Sequence, residues 1–241
     1  MLAFDRKAAA YDHHAHIQRD TAAWVAEWLP NTQSIGKCVE FGAGTGNFTR
    51  YLARSCHEVQ ASDIAPQMVE ESQQALPHVR WIIQDAWQPA LSPAAWDYVA
   101  SCSVLQWSPA PTTTLHRWRD LLRPGGKLIS GIYVSPSLTE LESLLPADRR
   151  FGWHSAADWQ SYAEQAGFKV LRAETTTRRY YYPSALVLLK RLHCTGATVI
   201  GRPMPVGKLK RLLHAYAQAY ATSDGVGATW TFFRLEAEKP R

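Results

Sequence analysis

The sequence predicts an α/β fold, a largely parallel sheet with helices on both faces and a helical cap. Three observations carry this reading. Short apolar runs alternate with helical patterns through the first half of the chain, which is the order a parallel sheet requires because each parallel strand needs a crossover connection. A glycine-rich stretch, VEFGAGTGNF (39–48), follows the first of those runs. Two basic amphipathic segments then interrupt the β-rich second half.

Residues from about 5 to 28 read as one helix, with Ala8, Tyr11, Ala15, Ala22 and Val25 at roughly helical spacing and no proline before Pro30. Strands are expected at CVEFG (38–42), EVQASD (58–63), WIIQD (81–85), WDYVASC (96–102) and KLISGIY (127–133). Helices are expected between them at 47–54, 66–75 and 112–122, the last stopped by Pro124, Gly125 and Gly126.

In the second half a helix starts at Ser155, with Asp158 three residues on in capping-box spacing, and ends at Gly167. FKVLRAETTTRRYYY follows as a strand rich in threonine and tyrosine. Helices SALVLLKRLH (184–193) and GKLKRLLHAYAQAY (207–220) precede a closing strand, ATWTFFRLEAEK (228–239). All 241 residues are read as a single domain: an N-terminal helical cover over about 1–30, a binding half over 36–133, and cap insertions at about 134–154 and 183–222.

Composition narrows the class. At 46% hydrophobic and 20% charged the chain is of ordinary globular type. Cys38, Cys56, Cys102 and Cys194 form no C-x-x-C pair and have no zinc-like histidine spacing, so neither a disulfide framework nor a metal is expected. His13 and His16 share a helix face without a third ligand, and His14 points elsewhere. The opening residues MLAFDRKAAAYDHHAHIQRD lack the apolar core of a signal peptide, and no run of about 18 apolar residues occurs, so the expectation is a soluble cytoplasmic protein away from membranes. A formal charge of +5 admits an acidic partner.

The glycine stretch speaks to chemistry. A glycine-rich turn between a strand and a helix lets backbone N–H groups face a polar or anionic ligand. The spacing is G-x-G-x-G, with Gly42, Gly44 and Gly46; a dinucleotide fingerprint would need its third glycine where Asn47 stands, and the lysine of a phosphate loop is absent. A nucleoside without pyrophosphate fits better. Asp63, ending the second strand, can accept from both hydroxyls of a ribose, and Asp85, at the end of the third, from an exocyclic amine of a purine. Glu40 adds negative charge where a cationic group would be welcome.

With those residues in register, the chain resembles the class I S-adenosylmethionine-dependent methyltransferases: VEFGAGTGNF is similar to the family's first motif, Asp63 in QASDIAPQMVEES to its ribose acid, Asp85 in WIIQDAW to its adenine acid, and LLRPGGKLI to its post-strand-five turn. The resemblance implies a Rossmann-like seven-stranded sheet and S-adenosyl-L-methionine as cofactor, S-adenosyl-L-homocysteine being the product. It also implies cofactor contacts from Tyr11, Gln18, Ile64, Met68, Ala86 and Ser101 besides the glycines and acids. AAAYDHHAHIQRD, SCSVLQWSP, ALVLLKRLHCTGATVIGR and ATWTFFRLEAEK resemble the malonyl-acyl-carrier-protein O-methyltransferases of biotin synthesis, the BioC type. That resemblance implies a cleft lined by Tyr11, Gln106 and Trp107, with no general base because a malonyl carboxylate is already nucleophilic. It implies a cation, Arg150 with Arg149 beside it, to hold that carboxylate.

Lys190, Arg191, Arg202, Lys208, Lys210 and Arg211 form a basic cluster that an acidic acyl-carrier protein would fit. A monomer without nucleic-acid affinity is expected. Methylation of another small carboxylate or amine, methylation of nucleic acid, and a silent cofactor-binding protein are the competing readings; the second lacks an Asn-Pro-Pro-Tyr-like motif after strand four, where SCSVLQW stands.

Overall fold

The computed structural model describes residues 15–195 and 204–241. Tyr11, His13, His14 and Arg202 lie outside the described residues. The chain runs α1 (His16–Ala26), β1 (Ile35–Phe41), α2 (Thr49–Ser55), β2 (Cys56–Asp63), α3 (Pro66–Ala75), β3 (Arg80–Ile83), β4 (Trp96–Cys102), α4 (Pro111–Leu121), β5 (Leu122–Val134), α5 (Thr139–Glu142), α6 (Ala156–Gln165), β6 (Lys169–Tyr182), α7 (Ala185–Cys194), α8 (Val206–Tyr220), β7 (Ala221–Thr222) and β8 (Gly225–Glu238).

These strands build one sheet in the order β3-β2-β1-β4-β5-β8-β6, with the two-residue β7 paired to β8 alone. Strands β1 to β5 are mutually parallel, and β8 runs antiparallel to both β5 and β6. The added short strand makes eight in place of the expected seven: Ala221 pairs with Val226 and Thr222 with Gly225 across a tight turn, which extends β8 three residues before the expected start. Strand order reverses between β1 and β4, the switch point where open α/β sheets leave a crevice at the strands' carboxyl ends.

Apolar side chains bury both faces. On one side Val39, Phe41, Leu115, Trp118 and Trp159 join α4 and α6 to the sheet, with Trp118 stacked on Phe41 at 4.9 Å. On the other, α1, α2 and the cap helices α7 and α8 pack through Trp24, Val25, Leu52, Leu188 and Tyr216. Helix α6 starts at the expected capping box: the Asp158 N–H donates to Ser155 Oγ at 3.1 Å and the Ser155 N–H to Asp158 Oδ2 at 2.8 Å.

Strand β5 begins at Leu122 rather than 127. Trp96 pairs with Leu122 but Tyr98 with Lys127, so Pro124, Gly125 and Gly126 sit in an irregularity within the strand instead of ahead of it. Helix α1 is clamped by Arg234 of β8, whose guanidinium lies between Trp24 and Trp28 at 4.3 Å from each ring. The same group pairs with Glu174 at 2.6 Å and Glu27 at 2.9 Å, and donates to the Trp24 carbonyl.

Candidate active site

A cavity of about 300 Å³ opens at the switch point, bounded by the β1–α2 loop, the ends of β2 and β3, the turn after β4 and helix α1. The three glycines serve it in different ways, which the motif does not reveal. All have positive φ, +65°, +53° and +78° in order. A Cβ on Gly44 would meet nothing within 4 Å, so this glycine alone faces open space. On Gly42 it would stand 2.2 Å from Val104 Cγ2, and on Gly46 2.9 Å from Leu76 Cδ1. Gly42 lines the cavity while the space beside its Cα is taken by Val104, whereas Gly46, expected among the cofactor contacts, lies off the lining, its space taken by Leu76 and Trp81.

The loop is held by side chains from three elements. Gly44 N–H donates to Asp63 Oδ2 at 2.9 Å, the Ala65 N–H to Asp63 Oδ1 at 2.9 Å, and Ser72 Oγ to the Gly44 carbonyl at 2.7 Å. Asp63 thus fixes the loop through both of its carboxylate oxygens. Asp85 stands two residues beyond β3, which ends at Ile83, and its Oδ1 accepts the Trp87 N–H at 2.7 Å in an Asx-type turn.

Glu40 is 1% exposed. Burial pushes its carboxyl up to about 8; the Thr49 hydroxyl, donating at 2.6 Å, opposes the rise, and the Asp63 charge adds to it. The thiol of Cys102, also on the lining, is pushed up to about 12, first by burial, so it is a neutral thiol and no nucleophile at neutral pH.

The turn after β4 and strand β5 add Ser103, Val104, Gln106, Trp107 and Tyr133 to the lining. Ser103 adopts a left-handed φ of 63° and donates from Oγ to Tyr133 Oη at 2.9 Å. Trp107 meets Trp153 edge-on at 6.0 Å, and Trp153 stacks on Phe151 at 4.5 Å, so an aromatic wall links the cleft to the loop before α6. Gln18 and Ala22 of α1 complete one side and Thr195, after α7, another.

Of the sequence-predicted residues described, Gln18, Glu40, Gly42, Gly44, Asp63, Ile64, Met68, Asp85, Ala86, Gln106 and Trp107 converge on this cavity. Ser101 does not: it is fully buried in the sheet, with its Oγ 2.8 Å from Ser130 Oγ. Arg150 is exposed and off the lining. Arg149 instead borders a separate cavity of about 360 Å³ with Lys208 and Arg211.

Of the basic cluster, Lys190, Lys208, Lys210 and Arg211 are exposed, whereas Arg191 turns inward, its guanidinium 5.4 Å from the Tyr182 ring and 3.4 Å from His16 Nδ1. His16 packs edge-on against Tyr180 and Tyr182, at 5.5 and 5.9 Å. Thr49, Ser72 and Tyr133 went unread in the sequence. Nothing in local pattern marks a serine on α3 or a tyrosine inside a strand as a partner of a loop far away in sequence.

The donor set fits S-adenosylmethionine: three carboxylates for ribose, adenine and a cationic end, one open glycine, and buried amide atoms on Gln18 and Gln106 with no partner. Among the described residues no lysine, arginine or histidine lines the cavity.

Comparison with known proteins agrees. Residues 39–130 match the family model described as a methyltransferase domain. A malonyl-[acyl-carrier protein] O-methyltransferase of Alcanivorax borkumensis is 30% identical over 98% of this chain and 84% of its own length. The biotin biosynthesis bifunctional protein BioHC of Cellvibrio japonicus is 28% identical over 98% of this chain and 49% of its own. A solved methyltransferase structure from Bacillus halodurans superimposes with a TM-score of 0.66 at 15% identity, covering 92% of this chain and 99% of that one.

Proposed function

The chain belongs to the malonyl-acyl-carrier-protein O-methyltransferase family of class I S-adenosylmethionine-dependent methyltransferases, and from that premise we propose that it methylates the free carboxylate of malonyl-acyl-carrier protein, giving the malonyl methyl ester that starts pimeloyl synthesis for biotin. The observation that supports this most is the cavity itself, which gathers three acids and neutral polar groups with no histidine, lysine or arginine among the described lining.

S-adenosylmethionine is the methyl donor of this family, and it supplies an electrophilic methyl on a sulfonium. Asp63 would hold the ribose hydroxyls, Asp85 the adenine amine, and Glu40 the cationic methionine end, while Gly44 keeps the wall clear. When bound, the cofactor would supply that methyl to a carboxylate oxygen of the acceptor, the carbon–sulfur electron pair remaining on sulfur, so the chain's own residues would have no proton to move. The residues therefore need only to align the acceptor and exclude water, which suits a cleft walled by Trp107, Tyr133 and Val104.

Lys190, Lys208, Lys210 and Arg211 would draw an acidic carrier protein toward the cap. The test is transfer of labelled methyl to malonyl-carrier protein beside malonyl-coenzyme A, free malonate and RNA. Labelling of malonyl thioesters above the others supports the reading; labelling of free malonate alone would favour a small-carboxylate methyltransferase, and none at all with cofactor bound would leave only the methyltransferase assignment standing.

A further inference from the structure

Gln106 sits on a single 3-10 turn, Leu105–Trp107, directly after β4. The turn is rigid for physical reasons. Leu105 is fully buried against the α4 face of the sheet, the Trp107 N–H donates to the Val104 carbonyl at 3.0 Å, and the Ser108 N–H to the Leu105 carbonyl at 2.8 Å. Ser108 Oγ lies 2.9 Å from Thr114 Oγ1 on α4. A side chain carried by such a turn is aimed rather than free to search.

What Gln106 is aimed at is the cavity. Only 9% of the residue is exposed, and neither its Nε2 nor its Oε1 has a hydrogen-bond partner. A buried primary amide left unpaired costs about 1–3 kcal/mol per polar group, so the arrangement is stable only at an expense that a ligand can recover. The acids Glu40, Asp63 and Asp85 face the same space, and no lysine or arginine does among the described residues. An acceptor anion entering here therefore has two sources of attraction, the cofactor's positive charge and the neutral donors of the lining.

Electrostatics favour that solution over a guanidinium. A cation on the lining would stand against the sulfonium that the acids are placed to welcome. A bidentate arginine would also engage both carboxylate oxygens and draw charge from the one that must attack, whereas a single amide N–H holds one oxygen and leaves the other its charge.

We propose that Gln106 is the acceptor-recognition residue of this site, its Nε2–H donating to one oxygen of the acceptor carboxylate, and that Arg150 has no part in holding it. The assignment rests on the carboxylate-methylating reading above. It has a consequence for turnover: once methylated, the acceptor is a neutral ester, the charge-assisted hydrogen bond becomes an ordinary one, and the product is held more weakly than the substrate.

The test compares Gln106→Leu, Gln106→Asn and Arg150→Ala with the parent. Binding of a malonyl-pantetheine thioester is measured by calorimetry in the presence of S-adenosylhomocysteine, which blocks chemistry, and steady-state constants are measured separately. Loss of a hydrogen bond to a charged group predicts acceptor affinity about 10- to 150-fold weaker in Gln106→Leu, with cofactor affinity within about twofold of the parent. Gln106→Asn, which keeps the amide but retracts it, should fall between and serves if the leucine variant folds poorly.

Parent-like acceptor binding in either Gln106 variant, or its loss in Arg150→Ala, overturns the inference while leaving the proposed reaction intact. A parent that neither binds nor methylates any malonyl thioester overturns the proposed reaction, and the inference falls with it.

Discussion

Replacing Glu40 by glutamine tests the electrostatic logic of the site most directly. With its carboxyl pushed up to about 8, Glu40 is protonated in about ten of eleven cofactor-free molecules at pH 7 and in about one of eleven at pH 9. A ligand of net positive charge favours the ionised form, so binding at pH 7 should release close to one proton. If the cofactor requires ionised Glu40, its affinity rises about tenfold between pH 7 and pH 9, the ratio of the two ionised fractions. In Glu40→Gln that slope disappears. The variant carries the same ligand titration as the parent, so the difference between the two profiles isolates Glu40.

Calorimetry in buffers of different ionisation enthalpy counts the proton. S-adenosylhomocysteine, which lacks the sulfonium, should release less of it. Equal proton release by parent and variant at pH 7 would refute the reasoning.

The same group sets a stability profile of the cofactor-free protein. Its folded value lies above the ordinary 4.5, so its contribution is full below about pH 4.5 and is lost as pH rises through 8. Between pH 6 and pH 9 the parent should lose about 3 kcal/mol relative to Glu40→Gln in urea unfolding. Parallel profiles would mean that Glu40 is better solvated than its 1% exposure implies.

Three further outcomes follow from contacts in the structure. Gly42→Ala forces a Cβ to 2.2 Å from Val104 and should cost about 1–3 kcal/mol, part of it restored by Val104→Ala; Gly44→Ala, with nothing within 4 Å, should be milder in thermal unfolding, and equal losses would contradict the division of labour between them. Asp63→Ala removes the acceptor for the Gly44 and Ala65 N–H groups and should weaken cofactor binding by more than about tenfold, measured by calorimetry. Arg234→Met leaves Glu174 and Glu27 unpaired against α1 and should destabilise the protein by about 2–4 kcal/mol in urea, since the partners are half or more exposed and regain water; no loss would show that the tryptophan packing alone holds the helix.

The sequence made legible those parts of the site whose physics is local. A glycine that must adopt positive φ, an acid at a strand's carboxyl end and a serine three residues before an aspartate each declare their role within a few positions, and Gly44, Asp63 and the Ser155 cap stand where that reading placed them. Roles assigned by long-range packing were not legible. Ser101 has the right position for a ligand contact but points across the sheet to Ser130, and Gly46 has the right motif spacing but answers to Leu76 and Trp81. Arg191 belongs to a run of cations yet is drawn inward by Tyr182 and His16.

The arginine expected to hold the acceptor illustrates the general case. Sequence reasoning looks for a charge to match a charge, because charge is visible in a string of letters. Whether an amide is buried, unpaired and aimed at the same place is visible only in three dimensions, and there the presence of a sulfonium changes what the best partner is. On the proposed reading, in a cavity lined by Glu40, Asp63 and Asp85 the acceptor anion would find its counter-charge in the cofactor, and the protein would need to contribute only direction. A neutral donor on the turn after β4 would do that without competing for the same electrons.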